Sequence, residues 1–407
     1  MSAYFAAAEL ERFLGGLGDV WERTPHLFRQ PFSTPLAPPD DYWQVLLGWA
    51  REVRAGRRFA HPRWIENDLL PAEGDGGLEA FCRRVESRYR GDWYLYQADG
   101  VQQLHPVLWH RLAEIVRPIL ARAGGLPPGG MMLDLFLGKY DRTPTGIHRD
   151  EGDVLAFVTQ GPKRLHFWPR EAFPTPWAAP ERTHFQTGIW SYEKHLDAAI
   201  TLEAEAGDVI YWPRAFLHLG AAPDHWAGMV TLTMWWQATA QRAIRYMVDS
   251  LWQGAATPVT YPLDVGRLGA GARALPPALE AAAAAAHARF DAGWAGALAE
   301  AWARLVTAYG FMIPPGRMRS KVSASGRYEL RHPVALVELG GAPALFACGH
   351  RVATLPAAAR ALGSQLEALA PGAVADAATL AAAADLAPEE TEPLLAALTA
   401  VGAAVAL

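Results

Sequence analysis

The sequence predicts a mainly β domain of sandwich or barrel type, with helices before it and with a helical region and a small winged-helix α+β domain after it. The first observation is a change of period at Met131, where apolar residues at helical spacing give way to short alternating runs. The second is that Gly, Pro and Asp separate these runs, as in antiparallel sheets joined by turns. The third is a return to helical spacing after about residue 240, ending in a helix–turn–helix pattern. We therefore expect a β domain with an N-terminal helical part at 1–240, a helical region at 241–320 and a winged-helix-like domain at 321–407.

The individual elements follow in chain order. Residues 1–130 are predicted to be mostly helical, apart from a strand-like aromatic stretch, DWYLYQ, at 92–97. Residues 168–198, rich in Pro, Trp and His, are predicted to be a long inserted loop that covers the mouth of the barrel. An alanine-rich helix is predicted over 278–306, and two short helices are predicted to meet at Ala387–Pro388. The predicted β segments are MMLDLFLG (131–138), DVLAFVTQ (153–160), KRLHFWP (163–169), DAAITLEAEAGDVIYWP (197–213) and GMVTLTMWWQ (228–237).

Composition disfavours several classes of protein. The 407 residues are 51% hydrophobic and 19% charged, which is typical of a globular chain too long for one core. We expect neither a signal peptide nor a membrane span, because no long apolar run with the right flanks is present. The two cysteines, Cys82 and Cys348, lie far apart, which disfavours a disulfide framework or thiolate zinc site and favours a reducing cytoplasm. A net charge of −5 disfavours a broad nucleic-acid surface.

A histidine and an aspartate two residues apart, His148 and Asp150, indicate a metal site, although this pair alone is common in proteins that bind no metal. In a strand, residues i and i+2 share a face, so both side chains point the same way while Arg149 points oppositely. A facial triad needs a second histidine, and His218, after the predicted strand in GDVIYWP (207–213), is its obvious source. Two histidines and one carboxylate leave three positions open on octahedral Fe(II), which suits a bidentate cosubstrate and dioxygen.

Lys163 indicates an anion beside this metal site. It alternates in phase with Leu165 and Phe167 within KRLHFW. If that apolar face is the interior, Lys163 is an inward charge, which is costly unless an anion accompanies it. No carboxylate within the strand can serve, which favours a carboxylate of a ligand. If the opposite face is the buried one, Lys163 is an ordinary surface lysine.

Together these motifs resemble the Jumonji C branch of the Fe(II)/2-oxoglutarate-dependent oxygenases. The spacing is similar to that of asparaginyl protein hydroxylases, and WERTPHLFRQPF (21–32) resembles an element that precedes the barrel in ribosomal-protein hydroxylases. The motif match covers roughly residues 130–240, and a weaker match in domain order covers nearly all of the chain. The motifs that resemble the family are HRD (148–150), Thr145, Lys163, GDVIYWP (207–213) and His218, in this spacing.

The resemblance implies a double-stranded β-helix core of cupin or jelly-roll type and a dioxygenase that uses Fe(II), 2-oxoglutarate and O2. It implies hydroxylation of an amino-acid side chain in a peptide or protein, and a helical region that supports a homodimer. By the same resemblance, His148, Asp150 and His218 would be the Fe(II) ligands. Lys163 and Thr145 would bind the distal carboxylate of 2-oxoglutarate, and Tyr94, with Tyr96 as the alternative, would complete that pocket.

Other interpretations stay open at this point. The same chemistry serves small-molecule hydroxylases and N-demethylases, and a catalytically silent cupin would bind metal as a sensor or scaffold. His166 and His225 are expected to be ordinary polar residues, because a fourth protein ligand would close the metal to chemistry. His184 and His195 fall in the inserted loop and are candidates for substrate contact.

The C-terminal domain is acidic. Between residues 333 and 407, two arginines stand against seven acidic side chains, a net charge of −5, whereas phosphate binding needs the opposite sign. We therefore expect this domain to dock a peptide or protein, or to support a dimer, rather than to bind nucleic acid.

Overall fold

The described residues form two compact units. The first contains Met1–Arg242 and Tyr309–Met318, and the second contains Ala243–Ala308 and Arg319–Leu407. Most of the predicted helical region at 241–320 lies outside the described residues. None of the helices among the described residues combines the length and the apolar character that a bilayer crossing demands. The computed structural model describes residues 4–56, 70–97, 100–143, 145–173, 185–186, 191–237, 244–245, 294–318 and 326–407.

Helices form most of the N-terminal part of the first unit, as the helical spacing predicts. The longest of those described begins at Pro106, where proline fits because the first helical N–H has no partner within a helix. It ends at Gly124, whose φ of 75° is a left-handed value that glycine adopts without strain. The helices are α1 (Ala7–Val20), α2 (Pro39–Arg54), α3 (Leu78–Arg88), α4 (Val101–Leu104) and α5 (Pro106–Ala123).

The strands of the first unit belong to one antiparallel system of ten strands. Leucine, β-branched and aromatic side chains dominate the longer ones, which favours extended structure. The strands are β1 (His26–Phe28), β2 (Trp93–Gln97), β3 (Met131–Tyr140), β4 (His148–Arg149), β5 (Asp153–Gln160), β6 (Lys163–Pro169), β7 (Phe185–Gln186), β8 (Ile200–Ala204), β9 (Val209–Trp212) and β10 (Phe216–Met234).

Strand β10 belongs to two layers, because its two halves pair with different strands. Residues 216–221 pair with β6, and residues 227–234 pair with β3 and β5. A register shift between Ala222 and Ala227 separates the halves, and such an irregularity allows a strand to bend from one layer into the next. One layer therefore has the strand order β8, β6, β10, β4, β7, and the other has β1, β9, β5, β10, β3, β2.

The inner faces of the two layers share one hydrophobic core. Val154 and Ala156 of β5 pack in the same cluster as Leu165 and Phe167 of β6 and Ile210 of β9. The result is a two-layered antiparallel barrel with helices before it. The prediction of a mainly β, cupin-like core with N-terminal helices is confirmed.

Two of the predicted strand segments differ from the structure. The segment 197–213 is two strands, β8 and β9, because Gly207 turns the chain between them with a φ of 90°. The segment 228–237 overlaps only the end of β10, which begins at Phe216. Pro223 argues against a strand, but it lies within the register shift, where the ladder is interrupted and proline is tolerated.

The predicted inserted loop at 168–198 is described only in part. Strand β6 continues to Pro169, so the loop begins slightly later than predicted. Strand β7, within the loop, pairs with β4. Residues 174–184 and 187–190, among them His184, lie outside the described residues.

The described part of the second unit contains two small antiparallel sheets, each of three strands, in the orders β12-β13-β14 and β15-β11-β16. Helices α8 and α9 are separated by a short turn at the predicted position, while the assignment to the winged-helix class stays a prediction. The strands are β11 (Arg327–Leu330), β12 (Val334–Leu339), β13 (Ala342–Ala347), β14 (His350–Thr354), β15 (Val374–Asp376) and β16 (Ala404–Ala406). The helices are α6 (Trp294–Thr307), α7 (Arg360–Ala368), α8 (Ala377–Ala383) and α9 (Pro388–Ala400).

Candidate metal centre and adjoining cavity

His148, Asp150 and His218 lie together on the inner side of the barrel. Strands β4 and β10 pair directly at His148 and His218, and the centroids of the two rings are 4.2 Å apart. Asp150 follows β4 by one residue, and its Oδ2 lies 3.5 Å from Nε2 of His218. One donor atom from each of the three residues lies within 4.8 Å of the other two. This set of two nitrogens and one oxygen fits a single transition-metal ion.

The turn before β4 sets the orientation of His148. Gly146 has a φ of 64°, and its N–H donates to the carbonyl of Thr143. The carbonyl of Gly146 and the hydroxyl of Thr145 each lie 3.0 Å from Nδ1 of His148. Because a carbonyl can only accept, Nδ1 is the protonated nitrogen, and Nε2 keeps its lone pair for a metal.

The surroundings of the other two donors differ in polarity. His218 is 5% exposed, and its ring packs 5.0 Å from the ring of Trp212 and 6.2 Å from that of Phe167, measured between centroids. The side chain of Asp150 is 27% exposed. Arg149, between the two β4-side donors in sequence, is buried, and this burial lowers the pKa of its guanidinium, with Arg170 adding to the effect. The donor set is therefore held by apolar packing on one side and is open on the other.

The remaining histidines near the motif do not join the triad. Nδ1 of His166 lies 2.9 Å from the hydroxyl of Thr201, and Nδ1 of His225 lies 2.9 Å from the carbonyl of Trp226. Within the described residues, the triad is the only cluster with metal-ligand geometry. His195 packs against Phe173, with 5.1 Å between ring centroids. Its role in substrate contact stays a prediction.

Lys163 is fully inside the barrel wall, at 2% exposure. Its amine donates to the hydroxyl of Tyr140 and lies 4.2 Å from the centroid of that ring. No carboxylate of the described residues forms an ion pair with it. Burial in this setting lowers the pKa of Lys163 to about 7, because the charged form has lost its hydration. The interior position predicted from strand alternation is therefore observed.

The backbone of Gly220 closely approaches the amine of Lys163. Gly220 lies two residues beyond His218 on the same face of β10, and a Cβ placed on it would lie 3.2 Å from Nζ of Lys163. The N–H of Thr143 donates to the carbonyl of Gly220 at 2.9 Å, which holds Thr143 beside Gly220. The hydroxyl oxygen of Thr143 is buried and has no hydrogen-bond partner among the described residues. Thr143 and Gly220 also line a cavity that extends from the triad, and a cation with a nearby hydroxyl at the wall of a cavity is a setting that fits a carboxylate.

The structure therefore assigns different partners to some predicted residues. The hydroxyl of Thr145 contacts His148, whereas Thr143 lies beside Gly220, next to Lys163. Tyr94 lines the cavity that extends from the triad, as does its alternative Tyr96. The ring of Tyr94 lies 6.2 Å from that of Tyr140, but it is Tyr140 that contacts the amine.

Four residues at the site were not identified from the sequence: Tyr140, Thr143, Trp212 and Gly220. Tyr140 ends β3, and Thr143 follows it in a turn, so strand alternation gives no information on either side chain. The sequence could have indicated Trp212 and Gly220, because both are close to His218 in the chain. Trp212 ends β9, and Gly220 follows His218 on β10. The observation that could have identified Gly220 is its spacing of i+2 from a metal ligand.

A cavity of about 440 Å3 extends from the triad between the two layers. Its apolar wall includes Val154, Leu165 and Trp212, and its far part includes Met132 and Phe136. Among the described residues that line it, three are acidic and none is a lysine or arginine. The acidic residues are Asp134, Asp150 and Glu151.

The barrel and the triad together define the class of protein: a cupin-type barrel that carries a His-X-Asp…His metal centre. Among solved structures, the chain is similar to ycfD of Escherichia coli, with 14% identity, 97% of each chain covered and a TM-score of 0.49. Another similar structure is YcfD, a ribosomal oxygenase from Escherichia coli, in complex with cobalt and 2-oxoglutarate, with 16% identity, 97% of each chain covered and a TM-score of 0.45.

A third similar structure is the epimerase SnoN in complex with Fe3+, α-ketoglutarate and nogalamycin RO, with 16% identity and a TM-score of 0.34. That likeness covers 64% of this chain and 98% of the epimerase. No family model and no curated protein matches the sequence. Likenesses at this level do not transfer an activity, so the chemistry of this chain rests on its own residues.

Proposed function

We propose that this chain is an Fe(II)- and 2-oxoglutarate-dependent dioxygenase that hydroxylates an amino-acid side chain in a peptide or protein. The observation that supports this most is a buried lysine with no carboxylate partner among the described residues, on strand β6, which pairs with the half of β10 that carries His218 of the three-donor metal centre. A 2-oxo acid with a second carboxylate joins these two features, because one end chelates a metal and the other is an anion. When bound, Fe(II) with 2-oxoglutarate and O2 supplies oxidative decarboxylation coupled to hydroxylation of a C–H bond.

The residues of the chain have separate tasks in this proposal. The Nε2 atoms of His148 and His218 and a carboxylate oxygen of Asp150 would hold the metal, and three protein donors would leave positions for a cosubstrate and O2. Lys163 binds the distal carboxylate, and that anion stabilises the charged amine that burial otherwise disfavours. The apolar wall around Trp212 excludes water from the reacting groups.

The charge of the cavity favours a cationic substrate group. The carboxylate of Asp134 is 5% exposed and lines the cavity together with Tyr96 and Phe136, whose rings stack with 4.5 Å between centroids. A carboxylate beside aromatic faces is a setting that binds a guanidinium or ammonium group. We therefore propose a basic side chain as the part of the substrate that enters the cavity.

Residues 321–407 are proposed to form a winged-helix-like module that docks the rest of the peptide or protein substrate. Its two helices α8 and α9 and the sheet β15-β11-β16 support this assignment. Its net negative charge matches a basic peptide better than it matches a nucleic acid.

Turnover of 2-oxoglutarate tests the proposal. The full chain with Fe(II) and O2 should form succinate from 2-oxoglutarate, and His218→Ala should form none. Peptides with a central basic residue should accelerate succinate formation and gain one oxygen atom by mass spectrometry. Asp134→Asn should lower kcat/KM for such peptides by about tenfold or more without changing succinate formation in their absence. Absence of succinate in every wild-type reaction would exclude the dioxygenase.

A further inference from the structure

The inserted loop between β6 and β8 packs against the layer of the barrel that carries both triad histidines. Phe173, near its start, and Tyr192, near its end, are buried in one hydrophobic cluster with Trp168 of β6. The indole N–H of Trp168 donates to the carbonyl of His195 at 2.7 Å. The hydroxyl of Tyr192 donates to the carbonyl of Asp141, in the loop that leads to β4, at 3.5 Å. Both ends of the inserted loop are therefore attached to this layer.

The same cluster contains residues that adjoin the triad histidines in the chain. Ile147 directly precedes His148, and it is fully buried in the cluster. Leu217 and Leu219 lie on either side of His218, and both are buried in the cluster as well. Because side chains alternate along a strand, these two leucines point to the face of β10 opposite His218. The backbone at each histidine is therefore next to side chains that the inserted loop helps to bury.

Strand β4 depends on the inserted loop for most of its pairing. This two-residue strand pairs with β10 at one position, where His148 lies opposite His218. It pairs with β7 of the inserted loop at both of its residues, opposite Phe185 and Gln186. A strand this short has little pairing of its own, so β7 contributes to the position of His148.

We propose that the inserted loop is a positioning element for the metal centre, with Phe173 and Tyr192 as its positioning residues. This inference rests on the metal site of the proposed function and not on its cosubstrate. The packing of these two side chains and the pairing of β7 with β4 hold His148 at the distance from His218 that a shared metal ion requires. By reciprocity, a metal ion bound by both histidines stabilises the packing of the inserted loop.

The affinity for Mn(II) tests the role of the cluster. Phe173→Ala in the full chain should lower this affinity by about tenfold or more, the usual effect of removing support behind a metal ligand. Phe173→Leu refills most of the space and should recover most of the affinity. The spin resonance of free Mn(II) measures both without any turnover.

Phe81→Ala is the matched control. Phe81 is also buried in the first compact unit, but its ring packs against Trp43 and Trp93, on elements that carry no triad residue. Its loss should destabilise the fold as the loss of Phe173 does. The affinity for Mn(II) should stay within about threefold of the wild type, because no ligand loses its support. A loss of affinity in Phe81→Ala equal to that in Phe173→Ala would overturn the inference.

Two proline variants keep the test decisive if Phe173→Ala does not fold. Successive residues of a strand direct their N–H groups to opposite sides, so only one residue of β7 donates toward β4. Of Phe185→Pro and Gln186→Pro, one should therefore lower the affinity for Mn(II) by about tenfold, and the other should leave it nearly unchanged. An unchanged affinity in both variants would show that β7 does not position the metal centre.

Proteolysis tests the same coupling in the opposite direction. Trypsin cuts after lysine, and Lys194 is exposed within the inserted loop. Saturating Mn(II) should slow cleavage after Lys194 in the wild type, because metal binding stabilises the loop, and should slow it less in Phe173→Ala. Equal rates with and without Mn(II) in the wild type would contradict the coupling.

Failure of the inference differs from failure of the proposed function. A wild type that binds no Mn(II) excludes the metal site on which the proposed function depends. A wild type that binds Mn(II), with Phe173→Ala and both proline variants binding it equally well, excludes only the positioning role of the inserted loop.

Discussion

Lys163 is a buried cation whose one polar contact within the described part of the chain is the hydroxyl of Tyr140, so the folded protein bears the cost of its charge until an anion binds. Such a cost is tolerated where function needs it. The hydroxyl and ring of Tyr140 reduce it, because both offer partial negative charge to the amine. Binding of a carboxylate would remove most of the remainder.

Replacing Lys163 with methionine should stabilise the ligand-free protein at neutral pH. The pKa of the amine is lowered from 10.5 to about 7, so the folded protein releases a proton that the unfolded chain keeps. The loss of stability caused by the buried charge is complete below about pH 7. It decreases as the pH rises toward 10.5, the pKa of the lysine in the unfolded chain. Lys163→Met should therefore raise the free energy of unfolding by about 1–4 kcal/mol at pH 7, and by progressively less toward about pH 10.

Urea denaturation of both proteins across this pH range measures the difference. Lys139→Met is the control, because Lys139 lies beside Tyr140 on β3 but its side chain is 39% exposed. We expect it to change the stability by less than about 0.5 kcal/mol at any pH. A loss of stability in Lys163→Met at pH 7 would show that the amine has a partner other than those described above.

Replacing Thr145 with valine should weaken metal binding rather than cosubstrate binding. The hydroxyl lies 3.0 Å from Nδ1 of His148, where it supports the protonation state that leaves Nε2 free. Thr145→Val should lower the affinity for Mn(II) by about tenfold, since the carbonyl of Gly146 still accepts from Nδ1. At saturating metal, its affinity for 2-oxoglutarate should match the wild type. The reverse pattern would support the carboxylate contact that the family resemblance implies for Thr145.

For single residues, the correct predictions from the sequence were those that depend on strand alternation. His148, Asp150 and the inward direction of Lys163 all follow from a period of two. The hydrogen-bond partner of Thr145 does not, because the left-handed turn at Gly146 decides where the hydroxyl points. The contact of Tyr140 with Lys163 was beyond sequence reasoning for a similar reason, since it depends on how two distant strands approach.

Among the elements, β10 connects the chemistry to the fold. It places His218 and Gly220 in one layer and Thr231 of the cavity wall in the other. The sequence predicted its second half from regular alternation. It missed the first half, because Pro223 and Asp224 read as a turn and the register shift that accommodates them is a tertiary feature.

The connection from β9 to β10 gives a testable pH dependence. Asp153, the first residue of β5, is fully buried, and Oδ1 accepts a hydrogen bond from the N–H of Arg214 at 3.0 Å. Burial raises the pKa of Asp153 to about 6, despite the opposing effect of Arg214. Because the folded pKa exceeds the unfolded value of 3.8, the carboxylate costs stability above about pH 6, and this cost is lost as the pH falls toward 4.

Asp153→Asn should therefore raise the free energy of unfolding by about 1–3 kcal/mol at pH 8, because the amide oxygen still accepts from Arg214 without a buried charge. The gain should shrink as the pH falls from about 6 to 4. Chemical denaturation of the two proteins at a series of pH values checks this. A difference that does not vary with pH would mean that the carboxylate titrates normally in the folded state.

At the level of the whole molecule, the triad and the C-terminal helix pair lie in different compact units. All triad and cavity residues belong to the first compact unit, and the helix pair α8 and α9 belongs to the second. Composition and period predicted the order of helices, barrel and small α+β region along the chain. They could not predict the strand pairing of the barrel, because pairing is set by contacts between residues far apart in sequence. The identity of the substrate depends on cavity shape and charge, which only the folded chain presents.

The triad is proposed to hold Fe(II) beside a site for 2-oxoglutarate. Anaerobic addition of Fe(II) and then 2-oxoglutarate to the full chain tests it most directly, because the chelate has a weak charge-transfer band in the visible spectrum. The wild type should develop this band, and His148→Ala should not. A wild type without the band, or an equally strong band in His148→Ala, would contradict the account.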